Sequence, residues 1–189
     1  MDKRLFLAVN VSEQTRSLIR AVQSELHFDK SRIRFVSPQN VHVTLKFLGD
    51  VPADRIPQII RQVESSLSSF QNFNYICEGT GVFPNIKKPR VLWLGITEGS
   101  EILSELSLIL NDALKEEMPV NQEDREFHSH ITLGRVKYFN FQKDAVDLRR
   151  FLEMKFEKIV NRVGEVVLYE SFLRPKGAVY NAVHKFKLT

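Results

Sequence analysis

Two tetrapeptides constrain this chain more than anything else in it. Residues 42–45 read His-Val-Thr-Leu and residues 130–133 read His-Ile-Thr-Leu. In each, His and Thr alternate with aliphatic residues, the period-two signature of a half-buried strand. Val43, Leu45, Ile131 and Leu133 therefore turn to a core, while His42 with Thr44, and His130 with Thr132, face the other way. One such strand would constrain little, since a strand histidine is more often structural than chemical. A repeat of it suggests a duplicated half-domain that brings two imidazoles and two hydroxyls together. At neutral pH one imidazole can act as a base and the other as an acid.

The remaining pattern supplies elements around these two strands. Arg4 to Val11 is a mostly apolar opening strand, and Ser12 caps a helix in which Leu18, Val22 and Leu26 recur. Arg32 to Val36 is a short strand, Ser37-Pro38-Gln39-Asn40 a turn, and Val41 to Leu48 the first motif strand. A second helix spans Ala53 to Leu67. Phe73 to Phe83 and Arg90 to Thr97 are strands joined by the basic, turn-rich loop Pro84 to Pro89. A third helix runs from Ser100 to about Glu117, and a polar stretch from Asn121 to Glu126 precedes the second motif strand. The spacing then predicts a helix over Asp144 to Phe156 and two strands, Gly164 to Leu173 and Ala178 to Leu188, around the hairpin turn Arg174-Pro175-Lys176-Gly177. Strands come in adjacent pairs with helices between, which predicts α+β with antiparallel sheets rather than a doubly wound parallel sheet.

Composition removes several classes. The net charge of +4 permits a polyanionic substrate without demanding one. Cys77 is the only cysteine, so an intrachain disulfide and a cysteine metal cluster are both excluded. The apolar run Leu5-Phe6-Leu7-Ala8-Val9 is too short for a signal segment, and no run reaches membrane-spanning length. A cytoplasmic protein without membrane association is expected. No linker or low-complexity segment divides the chain, so residues 1–189 are expected to form a single domain.

His42-Val43-Thr44-Leu45-Lys46-Phe47-Leu48-Gly49 and His130-Ile131-Thr132-Leu133-Gly134-Arg135 resemble the paired motifs of the two-histidine (2H) phosphoesterase superfamily. More closely, the chain is similar to the RNA 2′,3′-cyclic phosphodiesterases once described as 2′-5′ RNA ligases. Arg4-Leu5-Phe6-Leu7-Ala8-Val9, Gly81-Val82-Phe83-Pro84, Pro89 to Gly95 and Gly177-Ala178-Val179-Tyr180 match further blocks of that family. One departure is visible, Ser129 where the family usually has proline before the second motif histidine. The resemblance implies a bilobal domain of two pseudo-symmetric antiparallel sheets facing a central cleft, helices on the outer faces, one motif per lobe. It implies metal-independent hydrolysis of a terminal 2′,3′-cyclic phosphate to a 2′-phosphate, with no cofactor. His42 is then the acid on the leaving 3′ oxygen and His130 the base on water. Thr44, Thr132 and Arg135 hold the phosphate oxygens, and RNA ends or nucleoside 2′,3′-cyclic phosphates are the partners. A monomer without an obligate protein partner is expected.

Plainer readings stand beside these. Arg135 and Phe47, each five residues from its histidine, fall on the wrong face of an ideal strand. A bulge at Gly134 would re-aim Arg135; otherwise it is a surface ion-pair partner. Phe47 either stacks on a base or packs in the core. His128 sits in a His-x-His pattern, but no third ligand completes a metal set, so a supporting or incidental place is expected. Lys87, Lys88 and Arg90 either steer RNA or are a solvated loop. Trp93 and Cys77 are read as core. The same residues allow two other functions, 2′-5′ RNA ligation by the reverse reaction and non-catalytic binding of RNA ends.

Overall fold

Alternation of aliphatic and polar residues builds the frame in chain order: β1 (Asp2–Asn10), α1 (Glu13–Glu25), β2 (Ile33–Phe35), β3 (His42–Pro52), α2 (Ile56–Leu67), β4 (Phe73–Phe83), β5 (Val91–Ile96), α3 (Ser100–Ala113), β6 (His130–Val136), α4 (Phe141–Glu153), β7 (Ile159–Val163), β8 (Glu165–Arg174) and β9 (Gly177–Lys187). The computed structural model describes residues 1–26, 31–116, 127–175 and 177–189. The expected stretch from Asn121 to Glu126, the last residue of the expected third helix and Lys176 of the hairpin turn lie outside the described residues.

The strands run β7-β4-β5-β6-β3-β1-β8-β9, and every paired neighbour is antiparallel. The architecture is α+β with antiparallel strands, as the pattern predicts. Four strands, β3-β1-β8-β9, form one half, and β6-β5-β4-β7 form the other. The halves meet edge to edge at the pair Val43↔Ile131, so the two expected sheets are continuous. The junction is short because β2 takes the next stretch of the β6 edge, pairing Phe35 with Gly134 and Ile33 with Val136. Each motif strand lies at the inner edge of its half.

Helices tie the halves together by crossing over. α1 follows β1 but packs on β7 of the other half. Asn161 Oδ1 accepts from Ser12 N at 2.8 Å and from Thr15 Oγ1 at 2.9 Å. α3 follows β5 yet packs on β3, where Ser107 Oγ donates to the Leu45 carbonyl at 2.8 Å. The fully buried Val43, Leu45, Ile131 and Leu133 join Leu103, Leu106 and Leu110 of α3 in one hydrophobic core. The expected cap holds as well, Ser12 Oγ accepting from Thr15 N at 3.1 Å.

Several boundaries differ from expectation, each for a local reason. β7 is absent from the expected pattern, because its buried positions are Ile159, Asn161 and Val163 and the central one is polar. Asn161 is buried because it caps the approach of α1, and its amide also donates to Cys77 Sγ at 3.3 Å. α4 starts three residues before the expected Asp144. Asn140 caps it through Lys143 N, and Asp144 reaches back to accept from Asn140 N at 2.7 Å. Ala53–Arg55 is a 3-10 turn rather than the first turn of α2. The buried stripe of α1 is Thr15, Ile19 and Val22, with Leu18 only partly covered.

Candidate active site

The Val43↔Ile131 pair fixes the relation between the two motifs. Antiparallel pairing about it sets His42 opposite Thr132 and Thr44 opposite His130, so the four side chains flank one point with two-fold pseudo-symmetry. All four line a single cavity of about 500 Å³. Phe47 and Arg135 line it too. Both would face away on ideal strands, and in both strands a bulge corrects the parity. Between β1 and β3 the register passes from Ala8↔Thr44 to Leu7↔Lys46, leaving Leu45 unpaired. Between β5 and β6 it passes from Trp93↔Thr132 to Leu92↔Gly134, leaving Leu133 unpaired. Each extra residue flips the face of the residues after it, so the fifth residue from the histidine rejoins the histidine's face. Phe47 is thus exposed at 47% on the cavity wall and is not core.

Both imidazoles are held in the same way. His42 Nδ1 lies 2.8 Å from the Asn40 carbonyl, and His130 Nδ1 lies 2.6 Å from the His128 carbonyl. A carbonyl only accepts, so each Nδ1 carries a proton and donates it. The neutral ring then keeps its lone pair on Nε2. His128 therefore contributes its backbone to the site, and Ser129 in place of proline does not disturb that bond. On the first motif the acceptor is itself braced. The Arg16 guanidinium donates to the carbonyls of Pro38 and Gln39 at 3.0 and 2.9 Å, and Asn40 Nδ2 donates to the Ala178 carbonyl at 2.7 Å.

Aromatic rings complete the walls. Phe6 stacks on His42 with centroids 4.8 Å apart, and Tyr180 meets it edge-on at 5.3 Å. Phe83 plays the equivalent part for His130, edge-on at 5.0 Å. Burial pushes His42 down to about 4, helped by the positive field of Arg16 and by His130, against the bond to Asn40. Burial also lowers His130, against the bond to the His128 carbonyl, with the fields of Arg135 and of the His128 ring adding to the effect. Both rings are accordingly neutral at pH 7 when the cavity holds no anion. Burial raises the Tyr180 hydroxyl, while Arg135 and Arg4 pull it back. Those two guanidiniums give the cavity its positive charge.

Arg4, Phe6, Tyr180 and Phe83 do not stand out in the sequence as site residues, although each lies in a block that carries the family resemblance. Lys87, Lys88 and Arg90 are exposed and line neither this cavity nor a second one that opens on the far side of His130. Cys77 is buried as expected, its thiol pushed up to about 12 by burial. Trp93 departs from expectation, being half-buried at the edge of that second cavity. Among the described residues no group of three or more His, Cys, Asp or Glu side chains could hold a metal ion.

A cavity with paired imidazoles, hydroxyls and guanidiniums on an antiparallel α+β frame is the arrangement of a phosphoesterase. The model of the LigT-like phosphoesterase family matches residues 9–93. An RNA 2′,3′-cyclic phosphodiesterase of Methanothermobacter thermautotrophicus is 36% identical over 188 residues, covering 100% of both chains. One from Archaeoglobus fulgidus is 34% identical, covering 97% of this chain and 99% of that one. Among solved structures, a Thermus thermophilus protein superposes with a TM-score of 0.80 at 28% identity, over 98% of this chain and 97% of the other. Escherichia coli LigT complexed with 3′-AMP shares the fold, with a TM-score of 0.78 at 23% identity over 100% of this chain and 99% of that chain. The chain belongs to the LigT-like phosphoesterase family. Among the described residues, no helix is long and apolar enough to cross a membrane.

Proposed function

We propose that this phosphoesterase is an RNA 2′,3′-cyclic phosphodiesterase that opens the terminal cyclic phosphate to a 2′-phosphate without a metal. The observation that carries the reading is the matched pair of imidazoles on one cavity, each with Nδ1 committed to a carbonyl two residues earlier. That leaves two Nε2 atoms, one per side, for a phosphorus between them. The cyclic diester is strained, so the remaining demands are a base for water and an acid for the departing oxygen, each typically worth about 10²–10⁴ in rate.

In-line reaction puts acid and base on opposite sides of phosphorus, and the family resemblance assigns which histidine takes which role. His130 takes the proton of the attacking water, and His42 protonates the 3′ oxygen on the far side of phosphorus. Thr44 and Thr132 donate to the non-bridging oxygens, and Arg135 with Arg4 neutralises charge as the phosphorane forms. Phe47 and Tyr180 offer faces for the base of the terminal nucleotide. The partner is an RNA end or a nucleoside 2′,3′-cyclic phosphate. Residues 1–189 act as one bilobal domain derived by duplication, working as a cytoplasmic monomer. Ligation through a 2′-5′ bond uses the same groups with a 5′-hydroxyl in place of water, and hydrolysis prevails because water is abundant.

The test is product analysis on an oligonucleotide ending in a 2′,3′-cyclic phosphate, in excess chelator. A 2′-phosphate should accumulate at the rate seen without chelator. His42→Ala and His130→Ala should each lose at least about 10²-fold in kcat, and the double variant little more, since the pair acts as a unit. A substrate whose leaving group needs no proton should rescue His42→Ala only. Activity abolished by chelation, or undiminished in both variants, would sink the mechanism.

A further inference from the structure

The inner face of the sheet does not end at His130. Across β6, Gly95 pairs with His130 and Trp93 pairs with Thr132, so Trp93 stands on the face that carries the motif residues, one strand further out. There a second cavity of about 510 Å³ opens, and His130 lines both. Its floor is cleared of side chains. Gly95 faces it, and Gly79, at φ +73°, makes the bulge in β4 that brings the Glu78 carbonyl within 2.6 Å of where a Gly95 Cβ would stand. The Trp93 indole lies over Gly81, where an added Cβ would meet the ring at 2.1 Å. Phe83 links Trp93 to the site, with centroids 5.2 Å from Trp93, 6.1 Å from His128 and 5.0 Å from His130. Trp93 Nε1 is buried and has no acceptor among the described residues. Hydroxyls of Thr97, Ser100 and Ser104 line the far side, and among the described residues no lysine or arginine lines the cavity.

That lining suits a flat, uncharged heterocycle and is wrong for a phosphate. Aromatic faces reward a stacked ring, and the three hydroxyls, whose protons go to Glu78 and to the Thr97 and Ser100 carbonyls, keep lone pairs that accept from the amino edge of a base. Glu78, the one carboxylate among the described lining residues, is paired with Lys158 Nζ at 3.1 Å, and no lysine or arginine of the described lining faces a phosphate there. The phosphate belongs on the other side of His130, where Arg4 and Arg135 are. We propose that the second cavity is a nucleobase subsite, holding the base of a second nucleoside, either one joined to the terminal nucleotide through its 5′ phosphate or one becoming attached to the phosphate between His42 and His130. The proposal rests on the phosphodiesterase reading above and extends it.

Two nucleosides meet that description. One is the nucleotide on the 5′ side of the cyclic end. The other is a nucleoside whose 5′-hydroxyl replaces water. In that case the P–O5′ bond forms and the P–O3′ bond breaks. The hydroxyl proton passes to His130 and the 3′ oxygen takes a proton from His42, leaving a 2′-5′ diester with no oxidant or reductant involved.

The experiment has an arm for each source, run on wild type, Ser104→Phe to fill the cavity, and Trp93→Ala to remove the stacking face. In the first arm, kcat/KM is compared between uridine 2′,3′-cyclic phosphate and a dinucleotide ending in the same group. In the second, adenosine or methyl riboside is added as acceptor to uridine 2′,3′-cyclic phosphate, and 2′-5′ diester is measured against 2′-phosphate. A base in the subsite should give a preference of roughly tenfold or more, for the dinucleotide or for adenosine over methyl riboside, and both variants should erase it. Hydrolysis of the mononucleotide should be unchanged in both variants, which also reports that they fold. Preference in one arm names the source. If wild type hydrolyses the mononucleotide but neither arm depends on a second base, or the variants keep the preference, the subsite is refuted and the phosphodiesterase reading stands. A wild type inactive on every cyclic phosphate overturns both.

Discussion

Anion binding should make this protein take up a proton, and the amount can be worked from the site. With the cavity free of anion, His42 titrates near 4, so at pH 5.5 only about 3% of the molecules carry its proton. An anion within about 4–6 Å of an imidazole raises its pKa by roughly 1–3 units. A shift of about 2 units brings His42 to about 6, and the protonated fraction at pH 5.5 rises to roughly three quarters. His42 alone should therefore draw in about 0.7 proton per site at that pH. A suitable ligand is a 2′-O-methyl uridine dinucleotide, a linear diester that cannot cyclise and does not itself titrate in this range. Calorimetry in buffers of different ionisation enthalpy yields the number of protons directly. His42→Ala should abolish most of the uptake and His130→Ala should leave most of it. Binding without uptake would refute the argument that the anion charges the acid. Uptake that survives His42→Ala and disappears in His130→Ala would move the acid to the other strand.

Burial of the two imidazoles also has a cost in acid. Because the folded pKa of His42 lies below the unfolded value of about 6.5, the unfolded chain binds the extra proton between about pH 6.5 and 4. The His42 contribution to stability should accordingly be constant above pH 6.5 and fall through that window, by on the order of 3 kcal/mol at most. Urea midpoints of His42→Ala should show a shallower fall than those of wild type, and an identical fall would remove His42 from the account. Asn161→Leu should cost about 1–3 kcal/mol, since it strands Ser12 N and Thr15 Oγ1 beneath α1. Its urea midpoint should drop with the slope unchanged, and a stability equal to wild type would contradict the role of that amide.

The sequence made the chemistry legible because the chemistry is written on strands. His42, Thr44, His130 and Thr132 follow from alternation alone, and the repeat of the pattern implies that they converge. What alternation cannot carry is a change of register. Phe47 and Arg135 sit at odd spacing, and their place on the cavity depends on the unpaired Leu45 and Leu133. Gly134 hints at the second bulge; nothing comparable marks the first, where leucine fills the extra position without strain. The same blindness hides β7, whose central buried residue is an asparagine selected for hydrogen bonds to another element.

Long-range complementarity explains the residues that alternation leaves unread. Phe6, Tyr180 and Phe83 come from three strands remote in sequence, and only pairing makes them neighbours of an imidazole. β1 lies beside β3 with Asn10 opposite His42, so Phe6 falls opposite Phe47 and on the cavity face. β9 reaches the site through β8, and Asn40 holds it there by the Ala178 carbonyl. Each ring excludes water from one imidazole, and that exclusion is what lowers the basicity of both histidines. A charge delivered by substrate is then needed to make one of them an acid. In this arrangement the substrate phosphate itself completes the general acid, which ties protonation of His42 to occupancy of the cavity.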